Sequence, residues 1–156
     1  MQWKSRSEWD RLKAGIDCSF CQNISLNENE YGFKAIELKS SIVRIPWNQY
    51  YRGWTIVALK RHANELFELS SSELLDFWTD VSITAKALFD IFKAAKINYN
   101  VWGSHCPHIH CHLFALTFDS DPSKLLNPHE KVVRLSPEEY SDFKASLVNH
   151  ISKSIS

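Results

Sequence analysis

The sequence predicts an α+β domain in which helices pack on one face of an antiparallel β-sheet. Short apolar segments with strand character are joined mostly by short links, which favours antiparallel pairing between neighbours. Segments with helical spacing of apolar residues stand before, between and after these strands. At 156 residues the chain has the length of one domain, spanning 1–156 with a core at about 16–118.

The N-terminal part is predicted to contain one short helix and three strands. Ser5 and Glu8 have the spacing of a capping box, with Trp9 and Leu12 following at helical spacing. Apolar and β-branched runs then predict the three strands, at 33–39, 42–45 and 53–59.

A second capping box, Ser70 with Glu73, precedes a long amphipathic segment and predicts a helix over 72–94. Two more strands and a final helix follow, at 98–102, 108–118 and 137–153. A proline and two glutamates open that last helix, which suits its first turn.

Composition excludes several classes of protein. The 18 basic and 18 acidic side chains cancel, which argues against a broad nucleic-acid surface. No apolar run approaches the ~20 residues of a membrane span, and the N-terminus does not resemble a secretory signal. With four cysteines that are expected to stay reduced, the chain is predicted to be soluble and cytoplasmic.

The most informative segment is a row of three histidines that alternate with apolar residues. In a β-strand His108, His110 and His112 would share one face, with Ile109, Cys111 and Leu113 buried on the other. Three interpretations stand: buried imidazoles with satisfied hydrogen bonds, a metal site, or a nucleophilic histidine flanked by helpers.

Together with upstream residues, this row resembles the histidine-triad (HIT) family of nucleotide hydrolases and transferases. The matching parts are an apolar strand ending in Lys60-Arg61-His62, a following Glu-Leu-x-x-Leu, an Asn-bearing strand and the segment 103–114. The resemblance covers about residues 16–118 and implies a HIT-like fold, a homodimer and a cleft for a small-molecule nucleotide.

The resemblance also implies a reaction. His110 would attack the α-phosphorus of a phosphoramidate or dinucleoside polyphosphate, and water would cleave the nucleotidyl-histidine intermediate, with no organic cofactor. His112 would contact the phosphoryl oxygens or the leaving group, and His108 would support the row. The alternative is a nucleotide-binding or regulatory module with weak or no turnover.

Further binding residues follow from the same resemblance. His62 and Asn98 match polar positions near the nucleotide, although a surface histidine and a strand-edge turn residue are the plainer alternatives. Ser104 would offer a hydroxyl where the family often has an amide. Ala115-Leu116 stands where many members have Pro-Arg, which leaves the substrate preference open.

The last expectation concerns a metal. Some family members hold a structural zinc with a Cys-x-x-Cys pair and two histidines, which here would be Cys18, Cys21, His62 and His108. Two thiolates and two imidazoles make a closed tetrahedral site. Otherwise the two cysteines are reduced packing residues.

Overall fold

An antiparallel sheet of five strands is the central element of the structure, a computed structural model that describes residues 3–155. The spatial order of the strands is β1-β2-β3-β5-β4, and every neighbouring pair is antiparallel. The strands are β1 Gly32–Glu37, β2 Ser41–Pro46, β3 Thr55–Leu59, β4 Lys96–Asn100 and β5 His110–Leu116. The helices are α1 Arg6–Lys13, α2 Ser19–Asn23, α3 Ser71–Phe92 and α4 Pro137–Ile155.

The two long helices, α3 and α4, pack on one face of the sheet and on each other. The strand side chains that point to this face pack against the apolar sides of the two helices and form one hydrophobic core with them. Its fully buried members include Val43, Val57, Leu88, Leu113 and Leu147. The predicted α+β architecture is therefore confirmed. No helix of the described chain is long and apolar enough to cross a membrane.

Both predicted capping boxes are present. The hydroxyl of Ser5 accepts from the backbone N–H of Glu8, and Ser70 does the same for Glu73. The carboxylate of each glutamate in turn accepts from the serine N–H, so two otherwise unpaired donors are satisfied at each helix start. The helix α3 ends at Phe92, and its C-cap residue Lys93 adopts a left-handed conformation with φ of 50°.

The row of histidines differs in one respect from the expected strand face. His110 and His112 lie in β5, but His108 precedes it, because the N–H of Ile109 donates to the carbonyl of Ala63 outside the sheet ladder. The apolar residues between the histidines are fully buried as predicted. The histidines are also buried, since α2 and several aromatic rings cover their face of the sheet.

Candidate functional site

A cleft of about 830 Å³ opens on the sheet face opposite α3 and α4. Its floor comes from alternate strand residues: Arg44 of β2 pairs with Ile56 of β3, which pairs with His112 of β5. Paired residues in antiparallel strands point to the same face, so register alone brings these side chains together. Residues of α2 and of the segment 128–134 form the other walls.

His110 lies at the floor of this cleft as a neutral imidazole. Its Nδ1 is 2.5 Å from the backbone oxygen of His108, a contact in which the ring must donate. The lone pair is therefore on Nε2. Burial lowers the pKa of His110 to about 4, against the opposing effect of the bond to the carbonyl. Phe20 of α2 packs over the ring at a centroid distance of 4.4 Å.

In His112 the two ring nitrogens have the opposite hydrogen-bonding roles from those in His110. The indole Nε1 of Trp54 donates to its Nδ1 at 3.1 Å. Burial first, and then the neighbouring His110, hold the pKa of His112 well below its ordinary value. The His110 and His112 rings are 4.9 Å apart between centroids. A single bound group can therefore contact both imidazoles.

The imidazole of His108 belongs to a different cluster, which joins three distant parts of the chain. Its Nδ1 is 3.4 Å from the sulfur of Cys18 and 3.6 Å from that of Cys21. The Nδ1 of His62 is 3.2 Å from the Cys21 sulfur. All four potential ligand atoms lie within 4.8 Å of one another.

These spacings fit a tetrahedral ion. With metal–sulfur and metal–nitrogen bonds of about 2.3 and 2.0 Å, sulfur and nitrogen ligands are separated by about 3.5 Å. The far nitrogens of both imidazoles are also placed correctly, since His62 Nε2 donates to the Lys13 carbonyl and His108 Nε2 to that of Leu59. Such bonds leave Nδ1 deprotonated and free to bind a metal. The Cys₂His₂ group can thus hold a metal ion.

The structure separates the remaining candidate binding residues from the cleft. His62 faces the cysteines, and Ser104 lies exposed in the bend before β5. Asn98 of β4 pairs with Phe114, which lies two residues after His112 in β5. Asn100 is the nearer amide, because it pairs with His112. Its Oδ1 is buried and has no hydrogen-bond partner among residues 3–155.

Several residues of the site were not predicted. Phe20, Trp54 and Trp102 pack around the two histidines, and Arg44 is a buried cation of the floor. The Cys106 sulfur is 3.5 Å from that of Cys18, whose pKa it lowers by hydrogen bonding. Trp54 was missed because it directly precedes β3 in a nearly continuous apolar run, and such a run does not show which face of the sheet each side chain occupies.

The chain is similar to known proteins in structure rather than in sequence. No protein-family model matches the sequence, and no curated protein matches it. Among solved structures, a histidine triad protein from Bradyrhizobium japonicum is 22% identical, with a TM-score of 0.72 over 78% of this chain and 92% of its own.

Two other structures are similar. A hypothetical histidine triad nucleotide-binding protein from Sulfolobus tokodaii is 19% identical, with a TM-score of 0.67 over 87% of this chain and 93% of its own. A Zn-bound histidine triad family protein from Mycobacterium smegmatis is 18% identical, with a TM-score of 0.63 over 88% and 95%. On these likenesses, and with its five-stranded antiparallel sheet, the chain has the fold of histidine triad proteins.

Proposed function

We propose that the protein is a nucleotide hydrolase or transferase that acts at a nucleoside α-phosphate, with His110 as the nucleophile. The observation that carries the proposal is the state of this ring. A neutral imidazole whose Nδ1–H is held by a carbonyl presents one lone pair, on Nε2, to the cleft.

The reaction proceeds by two displacements at phosphorus. The Nε2 lone pair of His110 forms a P–N bond, and the bond from phosphorus to the leaving group breaks with its electron pair. Water then forms a P–O bond as the P–N bond breaks, and a nucleoside monophosphate is released. With an alcohol or other acceptor in place of water, the same intermediate gives group transfer.

The surroundings of the cleft favour a phosphate-bearing ligand. Arg44 is buried without a carboxylate partner in the described chain, and its guanidinium donates to backbone carbonyls, among them those of Leu26 and Gly32. Arg134 and His129 also line the cleft. Aromatic side chains of Trp47 and Trp102 offer apolar area for a base.

We further propose that the metal ion of the Cys₂His₂ group is a structural zinc. When bound, the ion would connect the segment that carries α2, and hence Phe20, to the residues that precede β5. It leaves His110 and His112 free, because only His108 of the row lies in the cluster. All four cysteines, all within residues 3–155, are free, which suits a reducing compartment such as the cytoplasm.

The expected assembly is a homodimer. The strand β4 is an edge of the sheet, and the aromatic rings of Tyr99 and Phe89 are exposed beside it. Unpaired strand edges with apolar neighbours are suited to pairing with a second copy. Light scattering of the purified protein measures this directly, and a monomer at all concentrations would contradict it.

Trapping of the intermediate tests the function. Wild-type protein is mixed with an α-³²P-labelled phosphoramidate or dinucleoside polyphosphate and denatured without acid, because P–N bonds are acid-labile. Label should stay on the protein, and His110→Ala should abolish both label and turnover while nucleotide affinity changes by only a few-fold. His112→Ala should cost less.

His150→Ala is the matched control, since this histidine lies on α4, where its ring donates to the Ser146 carbonyl. The control should label and turn over as wild type does. Retention of most activity by His110→Ala would disprove covalent catalysis at this residue. Binding without label or turnover in the wild type would instead establish a nucleotide-binding module.

A further inference from the structure

We propose that Trp54 is a positioning residue that fixes the tautomer of His112, so that His112 offers an N–H donor beside the lone pair of His110. The inference deepens the function proposed above and assigns a role to a residue outside the three histidines. It begins from one buried hydrogen bond, from Trp54 Nε1 to His112 Nδ1 at 3.1 Å.

The chemistry of the two rings makes this bond directional. An indole nitrogen donates and never accepts, so the His112 Nδ1 must hold a lone pair. In a neutral imidazole the single proton is then on Nε2. Burial keeps His112 neutral. Because the indole N–H does not titrate in water, Trp54 remains a donor at every pH at which His112 is neutral.

The ring geometry supports an edge-to-edge bond rather than a stack. The planes of Trp54 and His112 are only 27° apart, but their centroids are separated by 5.7 Å, which is wide for face-to-face contact. The remaining sides of the imidazole meet Trp102 and Phe114. This aromatic surround leaves Trp54 as the partner of Nδ1.

Trp54 is itself held rigidly. The side-chain amide of Gln49, a buried residue, donates to the Trp54 carbonyl at 3.0 Å, and its oxygen accepts from the N–H of Gly53 at 3.0 Å. Gly53 has a φ of +85°, and a Cβ there would lie 2.5 Å from the Phe92 ring. The turn that delivers the indole therefore has little freedom.

The two histidines are thus fixed in opposite tautomers by two different groups. A backbone carbonyl gives His110 a lone pair at Nε2, and an indole gives His112 a proton at the same position. A nucleophile and a donor side by side suit a phosphoryl group, whose phosphorus is attacked while an oxygen or the leaving group accepts a hydrogen bond. If His112 had the other tautomer, two lone pairs would face the phosphate oxygens.

The first test is spectroscopic and independent of turnover. Imidazole ¹⁵N resonances separate protonated from unprotonated nitrogens, and the His112 signals are those absent from His112→Gln. Wild type should show protonated Nε2 and unprotonated Nδ1. In Trp54→Phe, which keeps an aromatic ring but removes the N–H, the His112 tautomers should become mixed. A wild-type His112 protonated on Nδ1 overturns the proposal, even if no variant folds.

The second test is kinetic. Trp54→Phe should lower kcat by about 10-fold or more with little change in KM, and should add nothing in a His112→Gln background. Trp102→Phe removes the same atom from another ring against His112, 4.9 Å away, and should leave the tautomer unchanged. An unchanged tautomer and kcat in Trp54→Phe would refute the role. Absence of any turnover in wild type would refute the enzyme function but not the tautomer assignment.

Discussion

Removal of the two proposed thiolate ligands should weaken the fold by an amount set by metal affinity. Cys18→Ser with Cys21→Ser leaves two imidazoles, too few to retain zinc tightly. A metal present at about 1,000 times its Kd stabilises a folded protein by ~4 kcal/mol. In a domain of this length each kcal/mol shifts Tm by about 2–4 °C, so the double variant should melt roughly 8–16 °C lower.

The structure explains why the loss should fall short of complete unfolding. The loop after α2 is also held by Arg44, which donates to backbone carbonyls of Asn23, Ile24 and Leu26. The core between α3, α4 and the sheet includes neither Cys18 nor Cys21. The variant should therefore keep a cooperative transition while losing metal.

Metal analysis and thermal melting, each with and without a chelator, measure both effects. Wild type should contain about one zinc per chain, released on acidification because thiolate ligands regain protons. Cys106→Ser is the control, since this thiol contacts Cys18 but is outside the four-atom group. Equal melting temperatures and no zinc in wild type would make the cysteines packing residues.

Three further outcomes are expected. Arg134→Ala should raise KM several-fold with little effect on kcat, because the exposed guanidinium lines the cleft and would attract phosphate; an unchanged KM in steady-state kinetics would place the phosphates elsewhere. Asp80→Ala should lower the free energy of unfolding by about 1–3 kcal/mol, because the N–H and hydroxyl of Ser40 and the hydroxyl of Ser41 lose Oδ2 as their acceptor. Urea titration measures this loss, and a value under about 0.5 kcal/mol would contradict the argument. Lys93→Gly should raise the free energy of unfolding by ~0.5–1 kcal/mol, because glycine adopts a φ of 50° without strain. A decrease in the same urea titration would show that contacts of the lysine side chain outweigh this strain.

Local signals in the sequence predicted most of the fold. Capping boxes at Ser5 and Ser70 located two helix starts, and apolar spacing located the long helix within two residues of its ends. These features work because each is determined by residues three or four apart. The short helix α2 was missed, because its cap is the thiol of Cys18, which accepts from the Cys21 N–H and is not a usual capping group.

The site was predictable only where sequence spacing determines geometry. The alternation of His110 and His112 fixes their shared face, and the carbonyl that orients His110 belongs to the residue two positions earlier. The partnership of Trp54 with His112 depends instead on the register between β3 and β5, which pairs Ile56 with His112. An apolar run does not show how its strand aligns with another strand 56 residues later in the chain.

The first histidine of the row combines two roles that use different atoms. The imidazole of His108 faces the cysteines, and its main-chain oxygen orients His110. A peptide oxygen is present whatever the side chain, so the orientation of the His110 ring does not require a histidine at position 108, whereas the cluster with Cys18 and Cys21 does. The side chain and the main chain of this residue can therefore change independently. A designed variant can lose the cysteines and His108 together and keep the orientation of His110, provided that the backbone before β5 keeps its path.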